Sequence, residues 1–414
     1  MTMPDRPQSS ASGYWLEVRE HRRALVAASA GLASGFLLNH YVANIFGPQL
    51  IEAFGWTRSQ FALVGAFGMI NLATIPLIGR LTDRIGIRPV ATVGIAAFPL
   101  TFVAMSQMGG SFETFVLISL AQYLLCGATT TSIVYSRLVA ERFAAARGLA
   151  LAIGATAPAV VGIVGSPLLQ ALITREGWRT GYLAVALYVA LVGAFALAFM
   201  PRDKPRSSAT RKRVERTGDY PVLLRSRTFW TLFFGFLLCN LIYPLQSSQL
   251  MLMLAEQGID SARGAWMVSL FAGGVLAGRF LCGIALDRFP SHYVAAVALG
   301  LPGLGLLAMS TGLAGPFGLA VAVVVMGLSL GAESDLAAYL VMRHFELRVY
   351  GTVLGLVVTS LALSASLGSI MLSATLALTG SFTAYLLLSA AGCLIGALLF
   401  LLLGKQGDPT VSLT

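Results

Sequence analysis

The chain has 414 residues, 57% of them hydrophobic and only 11% charged, with a mean hydropathy of +0.79. A water-soluble core cannot cover that much apolar surface, so an ordinary soluble domain is excluded and lipid must be the solvent. The net charge of +10 is accounted for below as a topology signal and as attraction to anionic lipid, and no nucleic-acid partner is expected.

The first residues, MTMPDRPQSSASGYWLEVREHRR, are polar and too long for the charged lead of a secretory signal. They read as a tail, 1–23, with no cleavage expected. Apolar stretches of roughly 20 residues, the length of helix that crosses a ~30 Å hydrocarbon layer, then recur along the chain. They fall at 24–50, 59–79, 88–108, 113–136, 148–173, 180–200, 229–254, 264–286, 291–313, 315–342, 350–377 and 381–404. The expected fold is all-α and integral to the membrane, with twelve transmembrane helices. Between the sixth and seventh spans, RDKPRSSATRKRVERTGDYPVLLRSR is rich in Pro, Ser and charge, and 202–228 reads as a cytosolic linker. Residues 405–414 form the C-terminal tail.

Basic residues near helix ends resist translocation and so set orientation. The N-terminal tail, the even-numbered loops and the C-terminal tail carry 23 of the 28 Lys and Arg residues, while the odd-numbered loops hold only Arg58, Arg175, Arg179 and Arg263. Both termini are therefore expected in the cytoplasm. The absence of Asn-x-Ser/Thr sequons and the Ala/Gly-rich composition suit a bacterial inner membrane. Cys126, Cys239, Cys282 and Cys393 all fall inside spans without close spacing, which suits small apolar fillers rather than disulfides or a metal site.

The chain is built twice. GFLLNHYVANIFGPQL at 35–50 aligns with GFLLCNLIYPLQSSQL at 235–250, and GRLTDR at 79–84 with GIALDR at 283–288. Further on, GATTTSIVY at 127–135 aligns with GAESDLAAY at 331–339, and RGLALAI at 147–153 with YGTVLGL at 350–356. Two six-helix bundles, 24–201 and 229–404, in the same orientation follow from this, related by an axis along the membrane normal.

GRLTDRIGIRP after the second span, with its degenerate copy GIALDR in the second half, resembles the loop signature of the major facilitator superfamily. Within it, FGPQLIEAFGWTRSQFALVGAF, RGLALAIGATAPAVVGIVGSPLLQALITREGWR and YGTVLGLVVTSLALSASLG are similar to the oxalate:formate antiporter and monocarboxylate transporter branch. The resemblance implies alternating access: the two bundles rock about a central site, and the charged cytosolic loops latch the inward side. Asp83, Arg84 and Arg88, with Asp287 and Arg288 at the equivalent place in the second half, are the candidate gating residues.

The remaining basic residue is Arg279, within SLFAGGVLAGRFLCGIALDRF of the eighth span. Its repeat mate is Ile75, so symmetry does not demand a charge, and a cation inside a span is costly unless it faces the bundle interior. A structural arginine that ties helices together, its head snorkelling toward the cytosolic surface, is the competing reading. A guanidinium in a partly dry cavity is a forked receptor for a carboxylate. In the similar carriers an arginine of the eighth span, in a small-residue setting like VLAGR, binds the anion, and the resemblance gives Arg279 that role. Animal-type carriers place an aspartate one turn before it, where this chain has Val275. They also place a lysine in the first span, and the oxalate carrier one in the eleventh; this chain has neither. One cavity cation suits a monoanion rather than a dianion.

Glu333 and Asp335 lie mid-span in GLSLGAESDLAAYL, where the first half has Thr129 and Thr131. Two positions apart on a helix is about 200°, so at most one can face the cavity squarely. One is expected to pair with Arg279, and the other, buried without a counter-charge, is a candidate proton carrier; a purely structural ion pair is the alternative. His40 is the other titratable candidate, as a relay or as a satisfied structural histidine. Asn39, Asn44, Tyr123, Tyr135, Asn240, Tyr243, Gln246, Gln249 and Tyr339 are further polar or aromatic residues of the first, fourth, seventh and tenth spans. Of these, Asn39, Tyr123, Asn240, Tyr243, Gln246 and Tyr339, with His40 and Arg279, are the substrate-binding candidates. The glycine stripe GGVLAGRFLCG reads as close helix packing, since no strand precedes it and no Walker-type lysine follows.

These observations lead to a secondary active transporter for a small monocarboxylate, moving it with protons. An exporter of drugs or organic cations, with Glu333 and Asp335 as the binding acids, is the rival, and a non-transporting substrate sensor is a third reading. No enzyme activity, cofactor or metal is expected, and the protein is expected to act as a monomer among membrane lipid.

Overall fold

The computed structural model describes residues 11–143, 146–201, 223, 225–312 and 314–404. The linker at 202–228 therefore falls mostly outside the described residues, as does the tail 405–414. Among the described residues every regular element is helical. The second span is Arg58–Thr82, the third Ile87–Ser106, the seventh Arg227–Glu256 and the eighth Ser261–Arg288. The ninth is Ser291–Ser310, the tenth Gly315–His344, the eleventh Val349–Thr379 and the twelfth Thr383–Leu403. The fifth and sixth spans lie within Arg147–Phe199 as two helices that meet at Gly177, where the backbone is non-helical with a φ of 82° that a side chain would strain.

The first and fourth spans are each broken, and they break against each other. The first, Arg22–Ala33 with Phe36–Phe54, bends by 42°. The fourth consists of Phe112–Leu125 and Ser132–Ala140, separated by the threonines of GATTTS. Backbone groups freed by a break inside a membrane need partners, and here the Phe36 amide donates to the Thr130 hydroxyl at 3.0 Å. Gly35 has no side chain to obstruct the Thr130 carbonyl. The repeat is therefore imperfect at this point, because the tenth span passes GAESDLAAY unbroken. Among the described residues nine helices are long and apolar enough to cross a membrane, ten with the bent first span; counting Arg147–Phe199 as two and adding the broken fourth span gives twelve.

Eighth and tenth spans pack most intimately. A Cβ on Gly274 or Gly278 would run into the tenth-span backbone from Val324 to Leu328, and one on Gly327 or Gly331 into the eighth-span backbone at Phe271 or Val275. Small residues let two membrane helices approach to van der Waals contact along their backbones, and here they hold Arg279 and Asp335 at a fixed spacing.

Packing distinguishes the two ends of the molecule. One buried cluster is shared by both halves and includes Tyr41, Phe46 and Phe61 from the first with Leu250, Met253 and Phe271 from the second. At the opposite end the core divides in two. Ala24, Val90, Tyr135, Phe143 and Ala150 cluster within the first half, and Phe229, Ala295, Leu340 and Phe400 within the second. The bundles are thus joined at the end bearing the 54–58 and 256–261 turns and separated at the end bearing 82–87.

Candidate functional site

Arg279 lies nine residues before the end of its helix, about 13 Å along the axis. Leu270, exposed on the same helix, is nine residues away, about 180° round. The arginine therefore points away from the lipid face and toward the cleft between the halves. Its Nη1 is 3.5 Å from Oδ1 of Asp335, with the two side chains 19% and 41% exposed. That distance is long for a charge-assisted hydrogen bond, and Nε is buried without a partner. The guanidinium is held near its counter-ion but most of its donors are uncommitted.

Glu333 turns the other way, as the 200° separation requires. Asn240 of the seventh span donates to its Oε1 at 3.4 Å, while Ser334 between the two acids is exposed. One turn beyond Asn240, the Tyr243 hydroxyl meets His40 Nε2 across the bundle interface at 2.7 Å. The polar groups form a track from Glu333 through Asn240 and Tyr243 to His40.

His40 and Tyr243 line a cavity of about 90 Å³ at the joined end, together with Asn39, Gln122, Tyr123 and Ser248. Phe36, Phe61, Phe102, Phe115 and Tyr182 supply aromatic wall, with Val42, Val64 and Met105 between them. Asn39 donates to Gln122 at 3.2 Å, and Gln122 donates in turn to the Thr101 hydroxyl at 2.8 Å. Four of the candidates from sequence, Asn39, His40, Tyr123 and Tyr243, thus meet in one cavity. Arg279, paired with Asp335 rather than Glu333, does not line it.

Other candidates lie elsewhere. Gln246 is buried and donates to the Met326 carbonyl, so its side chain braces the seventh span on the tenth rather than lining the cavity. Asn44, fully buried, also binds backbone: it donates to the Gln246 carbonyl and accepts from the Leu250 amide. It thereby covers the π-helical stretch Leu245–Gln249. Tyr339 is half-buried on the tenth span and outside the cavity lining. Of the gating candidates, Arg84, Asp287 and Arg288 are exposed, and Arg88 donates to the Met200 carbonyl at 3.2 Å. The side chain of Asp83 lies outside the described residues. Gln122, missed from sequence, was signalled by its position: a carboxamide in the middle of an apolar span, beside Tyr123.

The profile of the Major Facilitator Superfamily matches residues 24–369. The chain belongs to this superfamily. It is 27% identical to monocarboxylate transporter 11 of Homo sapiens over 424 residues, covering 96% of this chain and 85% of that one. A gallate transporter of Pseudomonas putida is 25% identical over 339 residues, covering 72% and 73%. The solved structure of a POT family transporter in complex with 5-aminolevulinic acid superposes with a TM-score of 0.74 at 14% identity, covering 94% and 96%. Membership makes the chain a multi-pass membrane transporter, one that resembles the monocarboxylate transporters in sequence, and its fold is that of the superfamily.

Proposed function

We propose that the protein moves a small monocarboxylate across the membrane by alternating access, together with a proton. The observation that carries this reading is the under-used guanidinium of Arg279, the one basic side chain within a span that faces the cleft among the described residues. A forked donor with spare N–H groups in a partly dry setting matches the paired oxygens of a carboxylate. The names of the relatives, a monocarboxylate and a gallate transporter, agree with that chemistry.

Charge balance links the proton to the anion. Asp335 is the counter-ion of the Arg279 guanidinium, so a substrate carboxylate that takes Arg279 displaces Asp335 and leaves that acid without a counter-charge. Proton uptake by the displaced acid restores neutrality, and the anion and proton load together. Uptake of a bare anion against an inside-negative potential costs about 2.3 kcal/mol per 100 mV, which the proton offsets. Arg279, Asn39, His40, Tyr123, Asn240 and Tyr243 form the substrate path, and Glu333 and Asp335 the coupling pair.

The basic-residue distribution orients the separated end toward the cytoplasm, so this conformation is open inward. Asp83, Arg84, Arg88, Asp287 and Arg288 would then meet as the inner latch when that end closes. The excess of acids in the cleft favours one rival, an exporter of organic cations bound by Glu333 and Asp335. Uptake into proteoliposomes separates the two: radiolabelled monocarboxylate entering with a proton gradient supports the proposal, and exchange of lipophilic cations for protons supports the rival.

A further inference from the structure

The joined end is fastened by a contact that the gating motif does not include. Arg58, at the start of the second span, places Nη1 2.6 Å from Oε2 of Glu256, at the end of the seventh. The other carboxylate oxygen, Oε1, accepts from the Ser381 hydroxyl at 2.7 Å and from the Phe382 amide at 3.0 Å. Arg58 also sits 6.0 Å from the centre of the Phe382 ring. Beside it, the Ser59 hydroxyl lies 2.9 Å from that of Ser373 and 2.8 Å from the Ser373 carbonyl. The first half supplies Arg58 and Ser59, and the second half supplies everything they touch.

Each side of this contact is held in position by its own bundle. Thr57 and Gln60 form a reciprocal capping box at the head of the second span, which fixes the backbone that carries Arg58. Glu256 is anchored to the turn before the twelfth span by two hydrogen bonds that do not involve the other half. When the halves part, only the arginine has to leave. The carboxylate keeps two partners, and Arg58, already partly exposed, passes into water. A pair built in this way has little reorganisation to undergo on making or breaking, which suits a contact that forms once per cycle.

We propose that Arg58 and Glu256, with Ser381 as the anchor of the carboxylate, are the outer latch of the carrier: the pair is intact while the cytoplasmic end is open and breaks each time the outer end opens. The latch is independent of what the protein carries. It sets the balance between the two states, so weakening it populates the outward-open state without touching the cleft around Arg279.

The test is cross-linking in native membranes of the full chain carrying Ser59→Cys and Ser373→Cys. The four native cysteines are buried, so the introduced pair is the reactive one. Under mild oxidation a disulfide should form readily. Adding Arg58→Gln or Glu256→Gln should slow its formation at least threefold, whereas Arg58→Lys should stay within twofold. In a second measurement, Ser373→Cys alone should react at least threefold faster with a membrane-impermeant maleimide when Arg58 is Gln. Failure of the disulfide to form, or cross-linking and labelling rates indifferent to both Gln variants, would overturn the latch. Neither readout requires a substrate, so a failure here is separate from a failure of the carboxylate reading.

Discussion

Replacing Arg279 by lysine keeps the charge and removes the fork. In the structure the guanidinium makes one long contact with Asp335, at 3.5 Å, and its Nε is buried without a partner, so the fork has donor capacity left that a carboxylate could take up in a bidentate pair. An ammonium group presents one donor in that direction. The loss is one charge-assisted hydrogen bond, about 1.5–3 kcal/mol, or about a 10- to 150-fold rise in Kd. The backbone should be unaffected, because the glycines that bring eighth and tenth spans together are untouched. Calorimetric titration of purified protein with monocarboxylates reads the Kd, and thermal unfolding checks that the fold survives. A lysine variant with wild-type Kd would refute the assignment, since no fork would then be needed.

Glu333→Gln or Asp335→Asn, whichever removes the proton carrier, should abolish accumulation driven by an acid-outside gradient while sparing substrate exchange; if both variants still accumulate, neither acid carries the proton and His40 is next. Asp83→Asn should leave Kd within about twofold but slow turnover, because the inner latch biases states rather than touching ligand; binding lost with unchanged exchange rates would contradict that role. Gly278→Leu should cost about 1–3 kcal/mol or more through overpacking, since a side chain there meets the backbone of Leu328; an unchanged Tm in thermal unfolding would contradict the close eighth–tenth packing.

Much of this architecture was legible because lipid imposes a simple rule on sequence. Twenty apolar residues in a row read as a crossing, and the twelve stretches recur as helices whose ends differ from the reading by a few residues. The pairing of Arg279 with one acid was also legible, because two charges of opposite sign inside neighbouring spans have few other ways to be neutralised. Which acid was not, since Glu333 and Asp335 differ only in azimuth, and azimuth depends on how the tenth span rolls on the glycines of the eighth. The break in the fourth span was hidden for a related reason: Thr130 satisfies the Phe36 amide 94 residues away, and no local signal announces it. Gln246 reads as a cavity residue from its polarity alone, yet the π-turn in the seventh span rotates it toward Met326. Arg58 reads as a loop charge, because 198 residues separate it from Glu256 and only the closure of two bundles brings them together.

Uptake of a radiolabelled monocarboxylate into proteoliposomes, under an imposed acid-outside pH gradient, tests the central claim most directly. Accumulation above equilibrium is expected, collapsing with a protonophore and lost in the Arg279→Lys variant at substrate concentrations near the wild-type Kd. Accumulation that is indifferent to Arg279, or movement of lipophilic cations with no carboxylate uptake, would contradict that claim.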